Sequence, residues 1–318
     1  MKRKVFIDGA EGTTGLRLAD RLAPRTDIEL LKIDSALRKD TAERARIANQ
    51  ADIVFLCLPD AAAIEAVAGI TNPDTRIIDA STAHRVADDW AYGLPELSQA
   101  HRDAIVASKR VSNPGCYAMG FVLSVYPLTA QGIVNPDYPF TCHGVSGYSG
   151  GGRSLIAQYE NTERPDCYNW PRQYGLPQQH KHQPEMQKRS GLAHPPVFNP
   201  ILCDLYAGMV VTVPLHLRLL NKKWTAQDVQ KFFADYYAGQ RAVKVMDFGA
   251  ESACEAGMID TGALANSDLL QLFVCGSAEQ AVLVCRMDNL GKGASGAAIQ
   301  SMNLMCGLDE MTGLNESF

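Results

Sequence analysis

No apolar stretch in this 318-residue chain approaches the roughly 18 residues needed to span a bilayer, so a membrane-spanning protein is not expected. Positive charge is not in excess: 30 Lys and Arg stand against 35 Asp and Glu, for a formal net charge of -5. That balance argues against a non-specific nucleic-acid binder, yet it leaves an anionic small molecule possible, because a site needs only local positive charge. There is no Cys-x-x-Cys pair. The nine cysteines are odd in number and irregularly spaced, which speaks against a disulfide framework and against structural zinc. A reducing cytoplasm and no metal are the expectation. Internal repeats and low-complexity tracts are absent. The basic opening Met1-Lys2-Arg3-Lys4 is followed only by Val5-Phe6-Ile7, which predicts a strand rather than a signal peptide.

What is present is the composition of a globular protein, 46% hydrophobic and 20% charged. The length predicts two domains. Over about the first 110 residues, short apolar runs at 5–7, 28–33, 53–58, 77–79 and 105–107 alternate with helix-like segments at 15–23, 41–49 and 61–70. The runs are continuous rather than alternating in polarity, as parallel strands covered on both faces should be. The expected fold class is therefore α/β, a doubly wound Rossmann-type domain. Beyond residue 135, strand-like stretches at 140–145, 207–214 and 269–287 surround a helical segment at 226–237. This predicts an α+β domain. Residues 161–200 read as one long irregular loop, and 293–308 as a last helix. The expected division is 1–115, joined by a C-terminal helix in 292–318, and 116–291.

Residues 5–15 read as a strand, a glycine-rich turn and a helix, with Gly9, Gly12 and Gly15 spaced G-x-x-G-x-x-G and Thr13 and Thr14 opening the helix. Glycines there permit positive φ and let a pyrophosphate sit on the helix N-terminus. The alternative is a tight turn with no nucleotide. Asp34, after the second strand, suits the ribose diol of NAD, whereas Lys32, Arg38 and Lys39 suit a 2′-phosphate. The residues leave that choice open.

A second motif is Val111-Ser112-Asn113-Pro114-Gly115-Cys116-Tyr117, before a helix-compatible stretch. A cysteine in the first turn of a helix has its thiolate favoured by free N–H groups and the helix dipole. Pro114-Gly115 forces a tight turn that lets backbone N–H groups approach a ligand. These are the needs of a nucleophile with an oxyanion site. A buried structural cysteine is the competing reading.

Further segments extend the pattern: Asp79-Ala80-Ser81-Thr82-Ala83-His84-Arg85, Tyr92-Gly93-Leu94-Pro95-Glu96, Gly144-Val145-Ser146-Gly147 with Gly151-Gly152-Arg153, His180-Lys181-His182-Gln183-Pro184-Glu185-Met186, and Asp288-Asn289-Leu290-Gly291-Lys292-Gly293-Ala294-Ser295-Gly296. In this order the chain resembles the N-acetyl-gamma-glutamyl-phosphate reductase family, in its compact subgroup, related to aspartate-semialdehyde dehydrogenase. Met119, where the family usually has Thr, and the insertion Tyr148-Ser149-Gly150 depart from the pattern.

The resemblance implies a catalytic domain of the semialdehyde or glyceraldehyde-3-phosphate dehydrogenase type. It implies reductive dephosphorylation of N-acetylglutamyl 5-phosphate with NADPH, through a thioester on Cys116 and with inorganic phosphate as product. The partners implied are a small-molecule substrate and a second copy of the chain, in a dimer or tetramer. The family match selects His180 and His182 for proton transfer, which needs a group titrating near neutrality. His182, beside the Gln183-Pro184-Glu185 helix start, is expected as the acid–base, and His180 as a phosphate or substrate contact; His143 is an outside candidate. Arg153, after a glycine-rich turn, and Arg85 are expected to bind anionic groups together with Ser146 and Gly147. Asn113 is expected to donate to the thioester oxygen beside the Cys116 N–H. Ser81, Asn289 and Gly293 are expected on the cofactor side.

Overall fold

In the computed structural model, which describes residues 2–317, the chain divides into two compact units. One runs to Gly115 and adds Ala294–Leu314; the other holds Cys116–Gly293 and the tail from Asn315.

The first unit is built on strands β1 (Arg3–Asp8), β2 (Ile28–Leu31), β3 (Ile53–Leu56), β4 (Arg76–Asp79), β5 (Ala91–Tyr92) and β6 (Arg110–Ser112), with helices α1 (Thr13–Leu22), α2 (Thr41–Ala48), α3 (Asp60–Gly69) and α4 (Gln99–Ala107). Its sheet has the order β2-β1-β3-β4-β6-β5, and every pairing is parallel. Alternate residues of one strand feed opposite cores. Val5 and Ile7 join Leu18 and Leu22 of α1, Ile105 of α4 and Met302 of the C-terminal helix (Ala297–Met305). Phe6 points the other way, to Ile47 of α2 and Ala63 of α3. Helices on both faces explain the continuous apolar runs, and the fold is the expected doubly wound α/β one.

Residues 105–107 are not a strand. They close α4, where Ile105 is buried while Val106 and Ala107 are exposed, the spacing of a helix face. Ser98 accepts a hydrogen bond from the His101 N–H and starts that helix. The strand it precedes is β6, five residues further on. A three-residue apolar run carries no period, which is why it misled.

The second unit contains α5 (Cys116–Ala130), β7 (Thr141–Gly147), α6 (Gly152–Glu160), β8 (Arg172–Gln173), α7 (Gln183–Arg189), β9 (Val197–Cys203), β10 (Met209–His216), α8 (Ala226–Tyr236), β11 (Val243–Val245), β12 (Leu270–Gly276) and β13 (Gln280–Met287). Its mixed sheet has the order β11-β12-β13-β10-β7-β9-β8, the expected α+β architecture. Residues 269–287 are a hairpin, with β12 antiparallel to β13. Helix α5 lies directly on the sheet: a Cβ on Gly120 would stand 2.8 Å from Val211 of β10. The irregular stretch 161–200 contains β8, α7 and the start of β9, and the final helix opens as a π-helical turn at Gly291–Gly296. From Asn315 the tail returns to the second unit, where its N–H donates to Asp268.

Candidate active site

The glycine-rich turn joins β1 to α1, at the carboxyl edge where β1 lies between β2 and β3. Gly9 has φ +85, and a Cβ there would lie 2.3 Å from the Cys57 carbonyl oxygen. A Cβ on Gly15 would lie 2.3 Å from the Gly9 oxygen. Only glycine fits either position, so the backbone is exposed at the helix start. Gly12 occupies the N-cap and brings no side-chain cap to α1. Thr13 Oγ1 is buried there without a hydrogen bond. An uncapped helix N-terminus with an unsatisfied hydroxyl fits the pyrophosphate of a dinucleotide.

Two acidic residues flank this turn, and each meets an arginine. Asp8, ending β1, is gripped by Arg44 of α2 at 2.8 and 2.9 Å in a buried pair. Glu11, inside the turn, pairs with Arg38 in the open. Asp34 is exposed, and its carboxylate accepts from the Ala36 N–H at 2.9 Å, closing a turn. Lys39 is exposed.

At the end of β4, buried Asp79 organises the next loop. It accepts from Ser81 Oγ at 2.7 Å and pairs with His84 Nδ1 at 2.6 Å, while the His84 ring stacks on Trp90. Arg85 is buried and donates to the Asn113 and Ala80 carbonyls at 3.0 and 2.9 Å. It thereby braces the turn that leads to Cys116. Asn113 Nδ2 donates to the Ala294 carbonyl at 3.1 Å, and its Oδ1 is buried without a partner.

In the second unit Cys116 is the first residue of α5, half-buried. Tyr117 inserts into a gap left by Gly144, where a Cβ would stand 2.4 Å from the ring. Its ring meets those of His182, His180 and Phe198, with centroids 5.9, 6.4 and 5.2 Å away. The Tyr174 hydroxyl lies 3.4 Å from the Tyr117 hydroxyl. Burial pushes the Tyr174 phenol up to about 12, so it stays a proton donor. The loop carrying both histidines is pinned to β9 by Gln178, which exchanges hydrogen bonds of 2.8 and 2.9 Å with the Phe198 backbone.

The histidines differ in setting. His180 Nδ1 accepts from the His182 N–H at 3.2 Å. Burial, with Lys181 adding to it, lowers the His180 pKa to about 4. It is neutral at neutral pH. His182 is 5% exposed and sits at the N-cap of α7. Gly293 closes on Cys116: a Cβ there would be 3.0 Å from Cys116 Cβ. Asn289 uses both ends of its amide, to Ser149 Oγ at 3.0 Å and from the Gly208 N–H at 2.9 Å. Ser146 is buried and bonds the Gly147 carbonyl, whereas Arg153 is exposed in the first turn of α6. His143 lies on β7 opposite Thr212 of β10.

Two family models match the chain. Residues 4–105 fit the model of the semialdehyde dehydrogenase NAD binding domain, and residues 116–289 that of the semialdehyde dehydrogenase dimerisation domain. The chain is 45% identical to N-acetyl-gamma-glutamyl-phosphate reductase 2 of a Nostoc species, over 98% of this chain and 99% of that protein. It is 47% identical to N-acetyl-gamma-glutamyl-phosphate reductase of Rhizobium meliloti, over 96% and 99%. The chain belongs to the N-acetyl-gamma-glutamyl-phosphate reductase family. Among solved structures, aspartate semialdehyde dehydrogenase II of Vibrio cholerae superposes with a TM-score of 0.72 at 14% identity, covering 96% of this chain and 99% of that one, which shows the shared fold.

Several residues in or near the quoted motifs carry no functional signal of their own in the sequence. Tyr174 lies in the stretch read as a featureless loop, and nothing in its neighbours marks it. Tyr117 was read only as part of a motif. Glu185, 1% exposed on α7, and Lys292, 1% exposed in the π-helical turn, are buried charges whose place only the fold reveals. Among the described residues, no three His, Cys, Asp or Glu side chains gather as a metal site. No helix among them is long and apolar enough to cross a membrane.

Proposed function

We propose that this chain reduces N-acetyl-L-glutamyl 5-phosphate with NADPH to N-acetyl-L-glutamate 5-semialdehyde and inorganic phosphate, a step of arginine biosynthesis. The observation that carries this reading is Cys116 at the start of α5, beside a ring cluster that holds one neutral histidine and a second at a helix N-cap. The Cys116 thiolate adds to the acyl carbon, and the C–O bond to phosphate breaks with its electron pair leaving on the phosphate. Arg153 and Arg85 are assigned to the phosphate and carboxylate charge of the substrate. The thioester carbonyl oxygen is held by N–H donors at the start of α5 and by Asn113. Bound nicotinamide supplies the hydride that reduces the thioester carbon. His182 carries the proton at that oxygen, and the thiohemiacetal collapses to release the aldehyde and regenerate the Cys116 thiolate. His180, kept neutral, contacts the phosphate or the substrate. Ser146 and Gly147 line the substrate loop.

Gly9, Gly12, Thr13, Thr14 and Gly15 hold the cofactor pyrophosphate. Arg38 and Lys39 hold the 2′-phosphate; the capture of Asp34 by its own turn supports this choice over the ribose diol. Ser81 is assigned to the cofactor, and Asn289 and Gly293 to its nicotinamide side. The dimerisation-domain match supports a homo-oligomer, a dimer or tetramer, and the reading places the protein in the cytoplasm.

The test is phosphate-dependent reduction of NADP against NAD with N-acetylglutamate semialdehyde. Faster reduction of NADP is expected. The double variant Arg38→Ala with Lys39→Ala is expected to weaken NADPH binding at least about tenfold, with NADH nearly unchanged. No turnover of this semialdehyde sinks the substrate assignment; a preference for NAD sinks the cofactor assignment.

A further inference from the structure

A turn built to receive a pyrophosphate carries a carboxylate of its own. Glu11 lies between Gly9 and Gly12, so its charge opposes the anion that the bare helix start attracts. Two arginines neutralise the acids at this turn, but in different ways. Arg44 holds Asp8 through two donor nitrogens, and the side chains are only 11% and 7% exposed. Arg38 meets Glu11 with the side chains 46% and 57% exposed. The first pair is a fixed part of the fold. The second is a surface pair, whose strength is small and whose partners exchange readily.

We infer that Glu11 is a specificity-determining residue for the cofactor: it competes with the 2′-phosphate for Arg38, and so lowers the preference for NADPH over NADH. The inference rests on the assignment of Arg38 to the 2′-phosphate. When a cofactor without that phosphate binds, the Glu11–Arg38 pair stays closed. When NADPH binds, the guanidinium leaves Glu11 for a dianion with better geometry. Asp8 takes no part, because Arg44 stays on it with either cofactor.

Cofactor titrations followed by nicotinamide fluorescence test this without substrate, on full-length protein. In Glu11→Gln the ratio of the NADH to the NADPH dissociation constant is expected to rise about threefold, the scale of one exposed ion pair. Arg38→Ala is expected to lower that ratio. Adding Glu11→Gln to Arg38→Ala is expected to leave it unmoved. A ratio in Glu11→Gln that is unchanged or lower overturns the inference. So does the same rise with and without Arg38, since Glu11 would then act on the cofactor directly. A wild-type preference for NADH refutes the Arg38 assignment itself, while intact NADPH preference with a silent Glu11→Gln refutes only the role of Glu11.

Discussion

The glycine-rich turn of the first unit and the Cys116 cluster of the second are built on opposite plans. The turn is made by backbone. Gly9, Gly12 and Gly15 lie within seven residues, and what they contribute is the lack of a side chain. The cluster is made by side chains drawn from α5, β9 and the loop before α7, so residues as far apart as Tyr117 and Tyr174 come to touch. One site depends on φ and close approach, the other on rings and their packing. Damage to one should therefore leave the chemistry of the other readable.

The sharpest way to separate them is Cys116→Ser. Turnover is expected to fall by more than about 1,000-fold, because a hydroxyl lacks the nucleophilicity of a thiolate. NADPH titration should remain as in the wild type; lost cofactor binding would break the separation. Alkylation with iodoacetamide should follow the same line. Burial raises the thiols of Cys57, Cys142 and Cys285, and the exposed Cys167 is the main competitor to Cys116.

His182→Asn comes next, with an expected loss of about 100-fold in maximal rate and little change in substrate affinity. The neighbouring His180 sharpens the contrast through pH. Its folded pKa of about 4 lies below the ordinary 6.5, so between these values the unfolded chain binds a proton that the folded chain does not. Its contribution to stability is present above 6.5 and is lost as pH falls toward 4. Thermal melts of the wild type should drop over that window more than those of His180→Asn, and the rate profile near neutrality should keep its shape in that variant. A neutral-pH limb that disappears with His180 would reverse the two roles.

Gly9→Ala attacks the other plan. Its Cβ meets the Cys57 carbonyl and its φ is positive, so cofactor affinity should fall at least about tenfold. Labelling of Cys116 should be unaffected; slowed labelling would show that the turn and the cluster are not separable.

The smallest effect belongs to Tyr159, which binds the inserted segment into the second unit. Its ring stacks on Tyr148 at 4.6 Å, and its hydroxyl accepts from Arg172 Nη2 at 2.8 Å. Tyr159→Phe keeps the stack and removes the acceptor. About 1 kcal/mol of stability should be lost by denaturant unfolding, with the rate at saturating substrate nearly unchanged.

The contrast also explains what could be read in advance. The glycine-rich turn was legible because all its parts are adjacent in sequence and because a strand before and a helix after confirm it. Cys116 was legible for the same reason: Pro114-Gly115-Cys116 is a local turn into a helix. The strand assigned to residues 105–107 failed because three apolar residues carry no period, and a Ser98 cap seven residues earlier decides the matter. Asp34 exposes a different limit. Its type and place suit a ribose, and only the structure shows that one of its oxygens accepts from the Ala36 N–H two residues on.

The sequence by itself determined the doubly wound first unit, the glycine-rich turn and the position of Cys116, because each rests on spacing within one segment and on the conformations that glycine and proline allow. Only the tertiary structure decided which groups gather around that cysteine. Tyr117 reaches the histidines because Gly144, 27 positions away and on another element, leaves room for its ring. The loop that carries His180 and His182 is held by Gln178 to a strand that follows it. The low pKa of His180 arises from burial that these contacts create. Such effects depend on which distant surfaces meet, and no local run of residues encodes them.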